Sequence, residues 1–267
     1  MKKALTLSII IPVYNEESHL KACLQSIANQ SDAPDEVIVV DNNSTDRSVE
    51  IARSFHFVRG IMELQQCITP ARNKGFNATT CNLLGRIDAD THLPPDWVRQ
   101  VRRFYSSPSR HATALTGGCA FYNIPMPRVD AWITSQFVFR MNRFLMGHYV
   151  LWGSNMVLPA KVWGIVAKQT CPETPGIHED LDLAIHLHRQ GYDIAYQATL
   201  TVGARMRRVF EDHDKLWPNL MMWPQTLRAH HITTWPLSLV GAVFLYGSQV
   251  VPRSAVWLAK RFGWQPR

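Results

Sequence analysis

Two aspartates one residue apart, Asp88 and Asp90, end the apolar run in "LLGRIDADTHLPPDW", residues 83–97. Like charges at that spacing repel, and placing them beside a buried strand destabilises the fold unless a cation or a hydrogen-bonding ligand compensates. In an extended backbone side chains alternate, so both carboxylates would point the same way. Hard divalent cations such as Mg²⁺ or Mn²⁺ take oxygen ligands and share one or two carboxylates with substrate phosphates. Solvated loops also carry Asp-x-Asp, so the pair gains meaning only from what accompanies it.

Four further stretches carry chemistry. "VVDNNSTD" ends a β-branched run at Asp41, where an acidic residue can accept hydrogen bonds from a nucleoside, although Asx-rich turns also bond their own backbone. "TPARNKG" sets Arg72 in what reads as the first turn of a helix, against the helix dipole; a bound phosphate would resolve that conflict, and a plain surface arginine is the other reading. In "YVLWGSNMVLPAKVW", Gly153 and Ser154 permit close approach of a ligand and Asn155 could bond hydroxyls, or the stretch is a core strand with a glycine bend. "HEDLDLAIHLHRQGY" opens a helix on Glu179, Asp180 and Asp182, which by themselves would cap the helix and complement its dipole.

These residues need strand ends and helix starts to hold them. Leu7–Val13 and Glu36–Val40 read as strands covered on both faces, and Leu20, Cys23, Leu24 and Ile27 between them fall at helical spacing. That is a βαβ unit with a parallel sheet. The alternation continues with a helix from Thr69 or Pro70 to Thr80, a strand at Asn82–Ile87, a helix at Pro94–Tyr105, and a helix stopped by Gly191 before another strand. After about residue 205 strand signals fade, and Trp, Met, Arg, His and Pro become dense.

The composition of the 267 residues is that of a globular chain, 46% hydrophobic and 18% charged. The net charge of +7 suits nucleic acid, an anionic membrane or a phosphorylated ligand equally. The five cysteines are scattered without a Cys-x-x-Cys pair, which suits reduced thiols in a cytosolic chain. "MKKALTLSIIIPVYNEE" is cut by Pro12 and followed by Asn15, Glu16 and Glu17, so it reads as a buried first strand and not a targeting segment.

Together, "LSIIIPVYNEE", "VVDNNSTD", "ARNKG", "DAD" and "HEDLDLAIHLHRQGY" resemble the family 2 glycosyltransferases in order and approximate spacing, over roughly residues 5 to 200. The resemblance implies an α/β GT-A fold, a Rossmann-like sandwich with a mainly parallel central sheet (residues 1–204), and leaves residues 205–267 as a mostly helical extension. It implies inverting transfer of a sugar from a nucleotide-diphosphate donor, UDP favoured over GDP, to a lipid-linked or glycan acceptor, with Mg²⁺ or Mn²⁺ as cofactor. Carried over by position, Pro12, Tyr14 and Glu16 would border the nucleoside, Asp41 the base, and Arg72 the base or diphosphate. Asp88 would lie near ribose and metal, Asp90 would be the principal metal ligand, Gly153, Ser154 and Asn155 would floor the sugar pocket, Glu179 would line it, and Asp180 would be the catalytic base. Relatives often have a histidine after the strand that follows the Glu-Asp helix; here "LTVGARMRRVFEDHD" offers Arg205, Arg207 or Arg208 to neutralise the diphosphate, or His213 from a displaced position.

Two segments bear on membranes. "RVDAWITSQFVFRMNRFLMGHYVLW", residues 128–152, mixes arginines with aromatics as interfacial helices do, and would equally suit a helix packed on the core. "PLSLVGAVFLYGSQVVP", residues 236–252, is shorter than the ~20 residues that span a bilayer and reads best as interfacial or re-entrant, with Lys260 and Arg261 following. Peripheral attachment at the inner face of the cell membrane, without nucleic acid, is the expectation. An NAD-dependent oxidoreductase is disfavoured because "PVYNEE" stands where Gly-x-Gly-x-x-Gly belongs. A basic adaptor for membrane or nucleic acid would explain the charge and leave the carboxylates unexplained.

Overall fold

The computed structural model describes residues 5–124, 127–170, 176–207 and 213–248, together with 254, 257, 258, 261 and 262. Its strands are β1 (Leu7–Val13), β2 (Glu36–Asp41), β3 (Val58–Met62), β4 (Leu83–Arg86), β5 (Ala114–Phe121), β6 (Met156–Pro159) and β7 (Ile194–Ala204). They form one sheet in the order β3-β2-β1-β4-β6-β5-β7, parallel except for β6, which runs antiparallel to both neighbours. The helices are α1 (Leu20–Ala28), α2 (Ser48–Arg53), α3 (Ile68–Ala78), α4 (Trp97–Phe104), α5 (Pro127–Ser135), α6 (Asn142–Met146), α7 (Ala160–Val166), α8 (Glu179–Arg189), α9 (His213–Ala229) and α10 (Trp235–Ser248). A π-helical segment, Gln136–Met141, joins α5 to α6. This is the mainly parallel α/β sandwich that the sequence implies, followed by helices beyond Ala204.

The run "LSIIIPV" is buried at every position because it feeds two cores at once. Ile9 and Ile11 face α1 and α4 with Leu24, Trp97 and Val101, while Ile10 faces the other side with Phe76, Trp163 and Leu183. Each such side chain contributes about 1.5–3 kcal/mol on burial, and a one-residue slip would exchange the two faces, so the register is strongly specified. Pro12 is tolerated in this central strand by its position. Ile87 N donates to Ile10 O on the β4 side and Asn42 N to Val13 O on the β2 side, so alternation turns Pro12 N toward β4, whose pairing has stopped at Ile10.

Several expected boundaries move. The α4 helix starts at Trp97, not Pro94, because Trp97 N first closes a turn on Pro94 O. The α3 helix starts earlier, at Ile68, which puts Arg72 in its second turn. Gly191 does end α8, with φ 78°. Among the described residues no helix is long and apolar enough to cross a membrane. The described part of the apolar segment, residues 236–248, lies in α10, whose 14 described residues run about 21 Å. Cys171, Arg208, Lys260 and residues 249–252 lie outside the described residues, as does the side chain of His213.

Candidate active site

The carboxyl ends of β1, β2 and β4 open on one side of the sheet, and two interlocked loops line it. Asn15 and Asn43 adopt positive φ, 53° and 67°, which lets the chain turn sharply off β1 and β2. Ser44 Oγ accepts from Asn15 N, Asn15 Oδ1 from Thr45 N, and Ser48 Oγ from Glu16 N. This holds Tyr14 half exposed and Asp41 nearly buried, its Oδ1 accepting from Ser44 N. Asn42, which the sequence reading passed over, anchors the turn by donating to Glu63 O and Gln65 O and accepting from Cys67 N.

Asp88 and Asp90 are not extended neighbours. Thr91 N donates to Asp88 O and Thr91 Oγ1 accepts from Asp88 N, closing a turn as soon as β4 ends, so each carboxylate finds its own arginine. Asp88 meets Arg86 Nη2 at 2.8 Å. Asp90 meets Arg207 Nη2 at 3.3 Å, and the same nitrogen lies 2.7 and 2.9 Å from the two oxygens of Glu16. Burial, Asp88 and Glu16 push the Asp90 carboxyl up to about 7 against the pull of Arg207. Glu16 is raised too, first by burial.

Behind this rim lies a second, buried group built on Arg86. Its Nη1 donates to Asp180 Oδ1 at 3.0 Å, and Nη2 lies 3.7 Å from Glu179 Oε1, so one guanidinium joins both halves of the site. Sequence reasoning missed it, although a lone arginine in an apolar run two residues before Asp88 was the available signal. Gly153 makes room for the pair: a Cβ there would run into Arg86 Nη1 and lie 2.5 Å from Asp180 Oδ2. Its close approach is thus to the Arg86–Asp180 pair.

Two residues expected at the substrate, Arg72 and Asn155, lie in the protein interior. Arg72 is wholly buried; it donates to Asn73 Oδ1 and to Glu179 O and lies against the Trp163 ring, because in the second turn of α3 it faces α8. Asn155 is also wholly buried, donating to Gly118 O and Leu200 O and accepting from Trp97 Nε1, so its amide braces β5, β7 and α4. Ser154 is buried with an unpartnered Oγ. Pro12 is buried below the rim.

Asp180 sits at the start of α8, where a helix N-terminus alone would keep it ionised. Burial and the neighbouring Glu179 outweigh that and push its carboxyl up to about 6, opposed by Arg86. Glu179 goes the other way: burial would raise it, but His178, Arg86 and Arg72 together hold it below the usual range. Neighbouring carboxylates whose environments separate their proton affinities suit acid–base chemistry.

On the rim, Glu16, Asp88 and Asp90 crowd so closely that Arg207 does not offset burial and the two neighbouring carboxylates at Asp90. A hard divalent cation fits the acidic rim on this observation, since its oxygen ligands are those that remain under-compensated. Asp182, His186 and His230 also bring ligand atoms within 4.8 Å of one another. There, however, Arg189 Nη1 donates to His230 Nδ1, so His230 Nε2 carries the proton and donates to Asp182 at 2.8 Å. A metal would need that lone pair; the arrangement is a clasp between α8 and α9.

The model of "Glycosyl transferase family 2" matches residues 8–157, and that of "Glycosyl transferase family group 2" matches residues 86–259. Glycosyltransferase GlyA of Streptococcus pneumoniae is 36% identical over 99 residues, 36% of this chain and 14% of that protein. Glycosyltransferase AglE of Haloferax volcanii is 34% identical over 125 residues, 44% of this chain and 40% of that protein. The matches thus span less than half of these relatives. Mannosyltransferase PcManGT from Pyrobaculum calidifontis, solved with GDP-Man and Mn²⁺, has TM-score 0.66 at 14% identity, covering 99% of this chain and 77% of that one. TarS of S. aureus, solved with UDP-GlcNAc, has TM-score 0.59 at 18% identity over 76% and 59% of the two chains. Both likenesses are of fold.

Proposed function

The chain belongs to glycosyl transferase family 2, and on that premise we propose that it transfers a sugar, with inversion, from a nucleotide-diphosphate donor to a hydroxyl of a lipid-linked or glycan acceptor. The observation that carries the reading is the Arg86 fork, which holds Asp88 on the open rim and Asp180 beneath it. Tyr14, Glu16 and Asp41 border the nucleoside, with UDP as the donor nucleotide over GDP. Asp88 and Asp90 hold Mg²⁺ or Mn²⁺, which when bound neutralises charge on the diphosphate leaving group.

Asp180 acts as general base. Inverting transfer needs a group that takes the acceptor hydroxyl's proton as that oxygen attacks the anomeric carbon opposite the leaving diphosphate, and a base with proton affinity near the working pH does this best. Arg86 fixes its orientation, and Glu179, kept ionised, favours the protonated Asp180 that the step produces. Peripheral contact with the inner face of the cell membrane is part of the reading. Trp132, Phe144, Leu237, Val240 and Phe244 are exposed on α5, α6 and α10, beside Arg140 and Arg143, as suits an anionic surface.

The test is Asp180→Asn with a panel of UDP- and GDP-sugars. Donor affinity is expected to hold while transfer falls by roughly two to four orders of magnitude. Near wild-type transfer, or a product with retained anomeric configuration, would overturn the mechanism. Val240→Asp with Phe244→Asp should lower co-sedimentation with anionic vesicles and leave donor binding intact; unchanged sedimentation would remove the membrane contact.

A further inference from the structure

We propose that Arg207 competes with a divalent cation for the acidic rim, and moves onto the donor diphosphate when that cation takes Asp90. The inference rests on the reading of Asp90 as a cation ligand and goes beyond it by giving Arg207 two successive partners. One Arg207 nitrogen faces three carboxylate oxygens, two of Glu16 and one of Asp90. A compact positive charge surrounded by hard oxygens is what the rim would otherwise obtain from a metal ion.

The backbone on both sides of this contact is fixed, so the side chain is the part that can change partners. Gly203 and His92 exchange both backbone hydrogen bonds at 2.8 Å, which staples the end of β7 to the segment just after Asp90. The His92 ring stacks on Tyr122, whose hydroxyl donates to Asp90 O and whose N–H donates to Ala204 O. Met206 N donates to Asn123 Oδ1. The Arg207 side chain leaves this frame about one-third exposed.

A divalent cation on Asp90 and the guanidinium cannot share the same carboxylate oxygens, because like charges at such distances repel strongly. The displaced arginine would find a diphosphate beside it, the group to which a guanidinium binds with charge-assisted, forked hydrogen bonds. Arg207 therefore opposes the metal alone and supports the metal together with the donor. Free metal is disfavoured and the loaded pair is favoured.

Two binding titrations on the full chain test this, Mn²⁺ without nucleotide and UDP or GDP in saturating Mn²⁺. Arg207→Ala should tighten Mn²⁺ binding about 3- to 10-fold, since a competitor is gone, and weaken nucleotide binding about 10-fold or more, since a charged hydrogen-bond partner is gone. Arg207→Lys, which keeps the charge and loses the fork, should hold Mn²⁺ affinity near wild type and still weaken the nucleotide. Unchanged or weaker Mn²⁺ binding in Arg207→Ala, or unchanged nucleotide binding, overturns the proposal while a wild type that binds both leaves the parent reading standing. A wild type that binds neither Mn²⁺ nor nucleotide overturns both.

Discussion

The Asp180 side chain is 8% exposed and meets Arg86 at 3.0 Å; the Asp88 side chain, held by the same arginine at 2.8 Å, is 41% exposed. The two contacts have similar lengths and the same donor, yet their surroundings make them different objects. Around Asp180 the fold supplies everything: Arg86 below, Gly153 leaving room for the pair, and Glu179 beside it with Arg72 on its carbonyl. Around Asp88 and Asp90 the fold supplies a turn, one nitrogen of Arg86 and a partly exposed Arg207, and it is Asp88 that stays open while the Asp90 side chain is 13% exposed. The buried half is built from the fold's own groups, whereas the rim leaves the Asp88 carboxylate open to solvent.

If that contrast is right, removing the shared arginine should do the most damage. Arg86→Met leaves Asp180 without its main counter-charge and Glu179 without one of its three, and is expected to destabilise the chain by about 3–5 kcal/mol. Chemical denaturation measures it. A loss below 1 kcal/mol would mean that the buried half is not prebuilt around Arg86.

The next effect is in pH, and its two signs differ. The folded pKa of Asp180, about 6, lies above its ordinary 3.8, so the folded state holds the proton more tightly. The stabilisation this gives is complete below about 4 and is lost as pH rises toward 6, amounting to about 1–3 kcal/mol. Activity runs the opposite way, rising as Asp180 ionises through about 6. Asp180→Asn should abolish the activity limb and be more stable than wild type above pH 6; parallel pH profiles for wild type and variant in thermal melts would count against a strained base.

The smallest expected effect is on the rim. Asp88→Asn neutralises a carboxylate that is 41% exposed and leaves the buried Arg86 its Asp180 and Glu179 partners, so stability should move by about 0–1 kcal/mol, while Mn²⁺ affinity should fall clearly. A stability loss matching that of Arg86→Met would erase the distinction between the two halves.

The sequence and the structure agree best where burial enforces a pattern. β1 and β2 are legible because each residue must feed one of two cores, and α8 because its apolar positions recur at helical spacing and Gly191 ends it. β6 is far less legible: four residues, Met156–Pro159, inserted antiparallel between β4 and β5 by pairings distant in sequence, with no local period. The site divides likewise. Asp88, Asp90, Glu179 and Asp180 stand out as acids at element ends, but that Arg72 turns inward depends on where α3 begins, and that Asn155 is spent on Trp97, Gly118 and Leu200 depends on three remote segments. Arg86 was visible as an oddity; its partners Glu179 and Asp180 lie more than ninety positions along the chain.

The clasp between α8 and α9 has a bearing on how the protein is made. Synthesis runs from the amino end, and domains generally form as their segments emerge. The layer around β1, β2 and β4 can assemble early, but Asp182 gains His230 only after some fifty more residues have followed, and His230 itself is oriented by Arg189. The helix that carries Asp180 is thus locked by nearly the last part of the described chain to leave the ribosome. A nascent chain would have its rim in place while its buried half is still unclasped, so Asp180 comes into its final position late.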